Sequence, residues 1–198
     1  MRNPTRRNRN IGTSKQGHGQ NNELVIPSPA ITHKTFFERL TNYKKVNRTI
    51  NGNLFRFVIE ETRTSSKHAC TVEDIAELIR HIPPADYLDI DLIILRQPKR
   101  KEETLSPVWG RVIYYYEFEG ESQPTITIEA IDYQRTLKWS KKLDPDDQRE
   151  LERLREDGHP IAETKRHFES PYELDNVRNT QLYRTLPHEF GHYKHFLL

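Results

Sequence analysis

Near its end the chain reads His188-Glu189-Phe190-Gly191-His192. Two histidines four residues apart lie one above the other on a single face of an α-helix, near enough to share one metal ion, with a carboxylate beside the first. The spacing asks for a helix at this point and for a fold that leaves this face of it open. At about 100° per residue, Leu186, Phe190, Tyr193 and Leu197 form one narrow apolar stripe. His188, His192 and His195 fall on the opposite side of the same helix.

The chain leading to this helix alternates between strand and helix signals. Asn51-Gly52-Asn53 is a turn, and Leu54–Ile59 follows as a strand. Thr71 can cap a helix whose first turn carries Glu73 and Asp74, whose apolar face is Val72, Ile75, Leu78, Ile79 and Ile82, and which Pro83-Pro84 ends. Leu88–Leu95 reads as a strand entering a core. Val108–Phe118 and Thr125–Ile131 read as strands joined through Gly120–Pro124. Asp144-Pro145 opens a helix that runs through Arg155 and stops at Gly158. Ile161–Phe168 reads as one more strand, and a helical region runs from about Tyr172 to the end. A short helix is expected near Thr35–Tyr43. This order predicts an α+β fold, with helices on one face of a mixed or largely antiparallel sheet, closing on the His188–His192 helix.

The 198 residues suffice for one domain with a tail. Residues 1–31, rich in Asn, Arg, Gly, Gln, Ser and Pro, are expected to be a disordered basic tail, and residues 32–198 a single α+β domain. Arg2, Arg6, Arg7, Arg9 and Lys15 put five positive charges in the first 22 residues with no acid. That leaves 26 basic against 29 acidic residues in the body. A mildly acidic body argues against a broad nucleic-acid-binding surface on it. The tail could touch RNA or another polyanion, but with no aromatic among its charges the signal is weak. The one cysteine, Cys70, rules out an internal disulfide and fits a reducing compartment, so a cytoplasmic protein is expected. Cys70 itself reads as a small, inert residue just before a helix. No apolar run is long enough to span a membrane, and the first residues carry no secretory signal.

Thr185-Leu186-Pro187-His188-Glu189-Phe190-Gly191-His192-Tyr193 resembles the active-site helix of the zincin (HExxH) zinc metallopeptidases. The Gly before the second His is similar to several cytoplasmic bacterial zincin-like families, including the ImmA/IrrE type. The resemblance covers about ten residues. It implies that His188 and His192 bind Zn2+, that Glu189 is the general base acting on a zinc-activated water, and that the substrate is a peptide or protein. It implies a zincin-like N-terminal subdomain for the strands and helices before the motif. A strand preceding the helix, Ile161–Phe168, would then hold an extended peptide by strand addition.

Two departures from that pattern stand out. A catalytic zinc site takes three protein ligands and keeps one position open. Only six residues follow His192, and the extended form with a Gly at 195 and a His at 198 is excluded by His195 and Leu198. His195 lies seven residues from His188, roughly 10 Å along the axis, too far to join the same ion. The third ligand is therefore sought in a fold-back, among His167, Glu169, His159 and Asp175, or in sequence beyond this chain. The apolar pattern Phe196-Leu197-Leu198 stops without a cap, as in a truncated or fragmentary member. Pro187 is the second departure, and it predicts a kink or a restart of the helix near 185–187. The alternative function is a non-catalytic protein- or nucleic-acid-interaction protein with an incomplete zincin site. Elsewhere, Pro98–Lys101 reads as a charged hairpin tip. Tyr114-Tyr115-Tyr116 reads as strand packing, with a substrate cleft as the alternative, and His68 and His81 are assigned no role.

Overall fold

A computed structural model describes residues 40–198 apart from 88, 106 and 107. The basic tail 1–31 and most of the segment expected to be helical near Thr35–Tyr43 lie outside these residues. Where that segment is described it is not helical, because Tyr43 opens a strand.

The fold is α+β. Its main sheet contains β1 (Tyr43–Ile50), β2 (Asn53–Glu60), β4 (Leu92–Arg96), β5 (Gly110–Phe118) and β6 (Glu121–Glu129), in the order β1-β2-β4-β6-β5. The three inner strands are parallel to one another, and the edge strands β1 and β5 run antiparallel to their neighbours, so the sheet is mixed. Two tight hairpins create the antiparallel edges. Asn51 and Gly52 take φ values of 51° and 84°, and Glu119 and Gly120 take 54° and 89°. Paired positive φ values make the kind of turn whose twist matches two antiparallel strands. The central strand β4 is buried along all five residues, as a parallel strand covered on both faces must be.

A β-bulge in β5 sets Tyr114 and Tyr115 opposite Pro124 alone. Proline has no N–H to give a ladder, and the irregularity relieves that demand. Pro124 therefore lies inside β6 rather than in the connection. The extra residue also divides the three tyrosines: Tyr116 is fully buried, Tyr114 packs against the core and Tyr115 is 71% exposed.

The crossover from β2 to β4 is α1 (Val72–Arg80). Thr71 Oγ1 accepts from Asp74 N at 3.1 Å, and Asp74 Oδ2 accepts from Thr71 N at 2.8 Å, a reciprocal cap at the predicted residue. Pro98–Lys101 is not a hairpin tip. It leads into a short helix, α2 (Arg100–Leu105), because Pro98 and Lys99 precede a first turn that Glu102 and Glu103 stabilise.

Among the described residues two small sheets accompany the main one. One pairs β3 (Ser66–Lys67) with β7 (Ile131–Asp132), and the other has the order β8-β10-β9, from β8 (Thr136–Ser140), β9 (Ala162–Glu163) and β10 (His167–Pro171). The expected single strand Ile161–Phe168 is therefore two short strands, because Thr164 Oγ1 accepts from His167 N at 3.0 Å and closes a turn between them. Helix α3 (Pro145–Glu156) starts at its Asp144 cap and stops before Gly158, whose φ is +87°. Among the described residues no helix is long and apolar enough to cross a membrane.

The two faces of the main sheet differ in chemistry. Phe55, Phe57, Ile93, Leu95, Ile126 and Ile128 point to one face, where α1 and the C-terminal helix cover them. Val58, Leu92, Ile94, Tyr116 and Phe118 alternate to the other. At the C-terminal ends of β4 and β6 this second face turns polar. Arg96, 2% exposed, donates to Glu129 Oε1 at 2.8 Å from the paired position on β6 and also bonds Glu102. Burial pushes the Glu129 carboxyl up to about 7, against the pull of Arg96 and Arg111.

Two outcomes follow. A Cβ at Gly110 would stand 2.7 Å from Thr127 O and 2.9 Å from Thr185 Cγ2. Gly110→Ala is expected to lower stability by about 1–3 kcal/mol, read as a lower urea midpoint. For Glu129, the folded carboxyl titrates above the ordinary value of 4.5, so the folded state holds a proton that the unfolded chain has lost between 4.5 and about 7. Its contribution to stability is therefore complete below 4.5 and is lost as pH rises through about 7. Between pH 5 and pH 7.5 the stability of the parent should fall relative to that of Glu129→Gln, measured by urea unfolding of both at each pH.

Candidate metal centre

The C-terminal helical region is continuous. It comprises α4 (Leu174–Thr180), a π-helical turn (Gln181–Thr185) and α5 (Leu186–Phe196). The turn is a response to Pro187. A proline here cannot donate to the carbonyl four residues back, and its ring crowds that carbonyl. The wider π turn, closed by Leu186 N donating to Gln181 O, makes room without breaking the helix. The irregularity expected near 185–187 thus falls at Gln181–Thr185, reaching the first of those positions, and takes the form of an expanded turn.

The same turn is bolted to the sheet by Gln181, which is fully buried. Its Nε2 donates to Trp109 O at 3.1 Å and to Glu129 O at 2.7 Å, and its Oε1 accepts from Cys70 Sγ at 3.4 Å. Burial pushes the Cys70 thiol up to about 12, consistent with an inert residue. Beyond Pro187, Leu186, Phe190 and Tyr193 pack into the core as the apolar stripe predicts. Leu197, the fourth residue of that stripe, is half-exposed beyond the helix end. Tyr193 Oη donates to Asp89 Oδ2 at 3.0 Å, tying α5 to the segment before β4.

This packing turns His188 and His192 outward, where both are exposed. Their Nε2 atoms lie 2.8 Å apart, with the rings at 75°. A tetrahedral zinc ion with bonds of about 2.0–2.1 Å holds two donor nitrogens roughly 3.3 Å apart, so the pair fits two corners of such a site after a small rotation. Glu189, half-buried beside them, accepts from Val112 N of β5 at 2.7 Å through Oε2.

The donor set is incomplete. Among the described residues no group of three or more His, Cys, Asp or Glu side chains could hold a metal ion. The four residues considered as a third ligand have other partners. His159 is buried and bonds Thr180 Oγ1 at 2.9 Å, and His167 pairs with Glu169 at 2.9 Å on β10. Asp175 pairs with Arg178 at 3.2 Å in the first turn of α4. His195 is exposed one turn further along α5.

The strand beside α5 is β5, not the Ile161–Phe168 segment, which belongs to the small three-stranded sheet. Besides the Val112–Glu189 bond, Tyr114 stacks on Phe196 with ring centroids 4.2 Å apart, and Tyr115 meets Phe196 edge-on at 6.1 Å. The edge strand and its aromatic bulge therefore run along the same helix that carries the histidines. Val112, Gln181 and Phe196 are the residues that sequence reading missed. Only Phe196, four residues after His192, had a visible signal.

Comparison with protein-family models, with curated proteins and with solved structures finds no match for this chain.

Gly191 lies between Glu189 and His192, and a Cβ there would meet nothing within 4 Å. Gly191→Ala should raise stability by about 1 kcal/mol, as for an exposed helical glycine, and leave the histidine pair untouched. Thermal unfolding with the histidine side-chain NMR signals would check both.

Proposed function

We propose that this chain is a zincin-like, zinc-dependent metallopeptidase that hydrolyses peptide bonds in the cytoplasm. The observation that carries this reading is the convergence of His188 Nε2 and His192 Nε2 at 2.8 Å on the exposed face of α5, with Glu189 beside them. His188 and His192 would hold the ion. When bound, zinc supplies a Lewis acid that polarises a peptide carbonyl and acidifies a water molecule.

The chain's own residues would do the rest. Val112 N occupies Glu189 Oε2 and so orients the carboxylate, leaving Oε1 to take a proton from the attacking water and pass it to the departing amine. An extended peptide would pair with the outer edge of β5 on either side of Val112, whose N–H Glu189 holds, beside the histidines. Tyr115 and Phe196, both exposed, offer it an apolar contact. The single cysteine agrees with a reducing compartment.

The missing third donor favours a second reading, a non-catalytic interaction protein built on an incomplete zincin site. Metal content separates the two. Elemental analysis after zinc reconstitution and dialysis should find about one zinc per chain in the parent and in Glu189→Gln, and almost none in His188→Ala. Glu189→Gln should lose peptidase activity by about 100-fold or more. No zinc in the parent, or equal hydrolysis by parent and both variants, would end the metallopeptidase reading.

A further inference from the structure

A second feature lies on the opposite face of the main sheet from the histidines. Arg96, Arg111 and Glu129 alternate along their strands with Leu95, Val112 and Ile128, which pack toward α5. Beside them, at the C-terminal ends of β4 and β6, is a cavity of about 100 Å³. Its wall includes Trp109 and Tyr172, whose rings meet edge-on at 5.5 Å, and the exposed Arg135 and Glu150 stand at its rim.

The carboxylates of this cavity are not fully satisfied. Glu129 is 3% exposed and Glu102 is 7% exposed. Each spends one oxygen on Arg96, through Glu129 Oε1 and Glu102 Oε2. The other oxygens, Glu129 Oε2 and Glu102 Oε1, have no hydrogen-bond partner among the described residues. Two buried acceptors without donors are a costly arrangement, and since both oxygens are closed to solvent, a donor supplied from outside would relieve it as the neighbouring side chains of the wall rotate aside.

Charge selects the donor. Five carboxylates line the cavity against the guanidinium groups of Arg111 and Arg135. Counting Arg96 and Arg63, which pair with Glu102, Glu129 and Glu103, the balance is five negative to four positive once Glu129 is ionised, above a pH of about 7. Water could fill the acceptors but would leave that excess uncompensated, whereas a monocation answers both demands. A metal ion is disfavoured, because no group of three carboxylate, imidazole or thiol donors among the described residues could hold one. The volume is below the roughly 150 Å³ of a cavity that takes benzene. Two aromatic rings in the wall and acceptors on two separate side chains suit a planar, many-donor head better than a compact ammonium.

We infer that this cavity binds a guanidinium group, from a small molecule or from an arginine side chain of a peptide, with Glu129 and Glu102 as acceptors and Trp109 and Tyr172 as its wall. The site is independent of the metal centre and does not rest on the peptidase reading.

The test uses the full chain and follows backbone amides and the Trp109 indole by NMR during titration with methylguanidinium, methylammonium or methylurea. Methylguanidinium should give saturable shifts around Glu129 and Trp109. Methylurea, its neutral counterpart, should give none, and methylammonium should bind about tenfold more weakly. Glu129→Gln should weaken binding about tenfold. Glu150→Gln, at an exposed position that cannot disturb the core, should weaken it about threefold. Binding of the tripeptide acetyl-Gly-Arg-Gly-amide well above methylguanidinium would assign the group to a peptide, and equal affinity would assign it to a small molecule. Absence of saturable shifts, equal binding of methylurea or methylammonium, or undiminished binding in both variants would overturn the inference.

Discussion

The position of the candidate metal centre depends on how one helix is seated against two strands, and a buried amide controls that seating. Gln181 uses both ends of its side chain, one on the carbonyls of Trp109 and Glu129 and the other on the Cys70 thiol. A polar group taken out of water is stable only when its hydrogen bonds are remade, so these partners confine the amide to one location. The location holds the π turn, and the π turn sets the rotation of α5 about its axis. A different rotation would bury the histidines and expose Phe190. Gly110 is the complementary half of the joint, because its lack of a side chain lets Thr185 approach the sheet.

The sheet separates two kinds of chemistry. One face is apolar and carries α1 and α5, with the histidine pair facing solvent on the far side of α5. The other becomes charged at the ends of the parallel strands, where Arg96 is clamped between two glutamates. A buried ion cluster contributes little net stability, since desolvation offsets most of the attraction. Its persistence here is easier to understand beside a cavity that leaves two of its oxygens without donors.

Legibility of the sequence followed the strength of local signals. The Thr71 cap, the Asn51-Gly52 turn, the Asp144-Pro145 start and the strands around Phe57, Ile93 and Ile126 are short-range features, and each falls close to where local chemistry places it, whereas the connection expected over Gly120–Pro124 is a tighter turn at Glu119-Gly120. β1 was missed because an edge strand buries almost nothing. Of its eight residues only Ile50 is buried, so no alternation marks it. β8 was missed for the same reason, with no residue of Thr136–Ser140 buried. The split of Ile161–Phe168 was invisible because it turns on a single Thr164 hydroxyl.

By itself the sequence determined that residues 186–196 form an amphipathic helix with His188 and His192 on one side, since a four-residue spacing and an apolar stripe need no tertiary information. It also determined, through Pro187, that the helix could not enter this segment as a regular α-helix. What lies beside the helix was decided only in three dimensions. The Val112 amide that orients Glu189, the carbonyls that hold Gln181 and the Tyr114 ring that stacks on Phe196 come from positions about 50 or more residues away in the chain. Such contacts carry no local signal, because they exist only once the hairpin of β5 and β6 has placed its edge along α5.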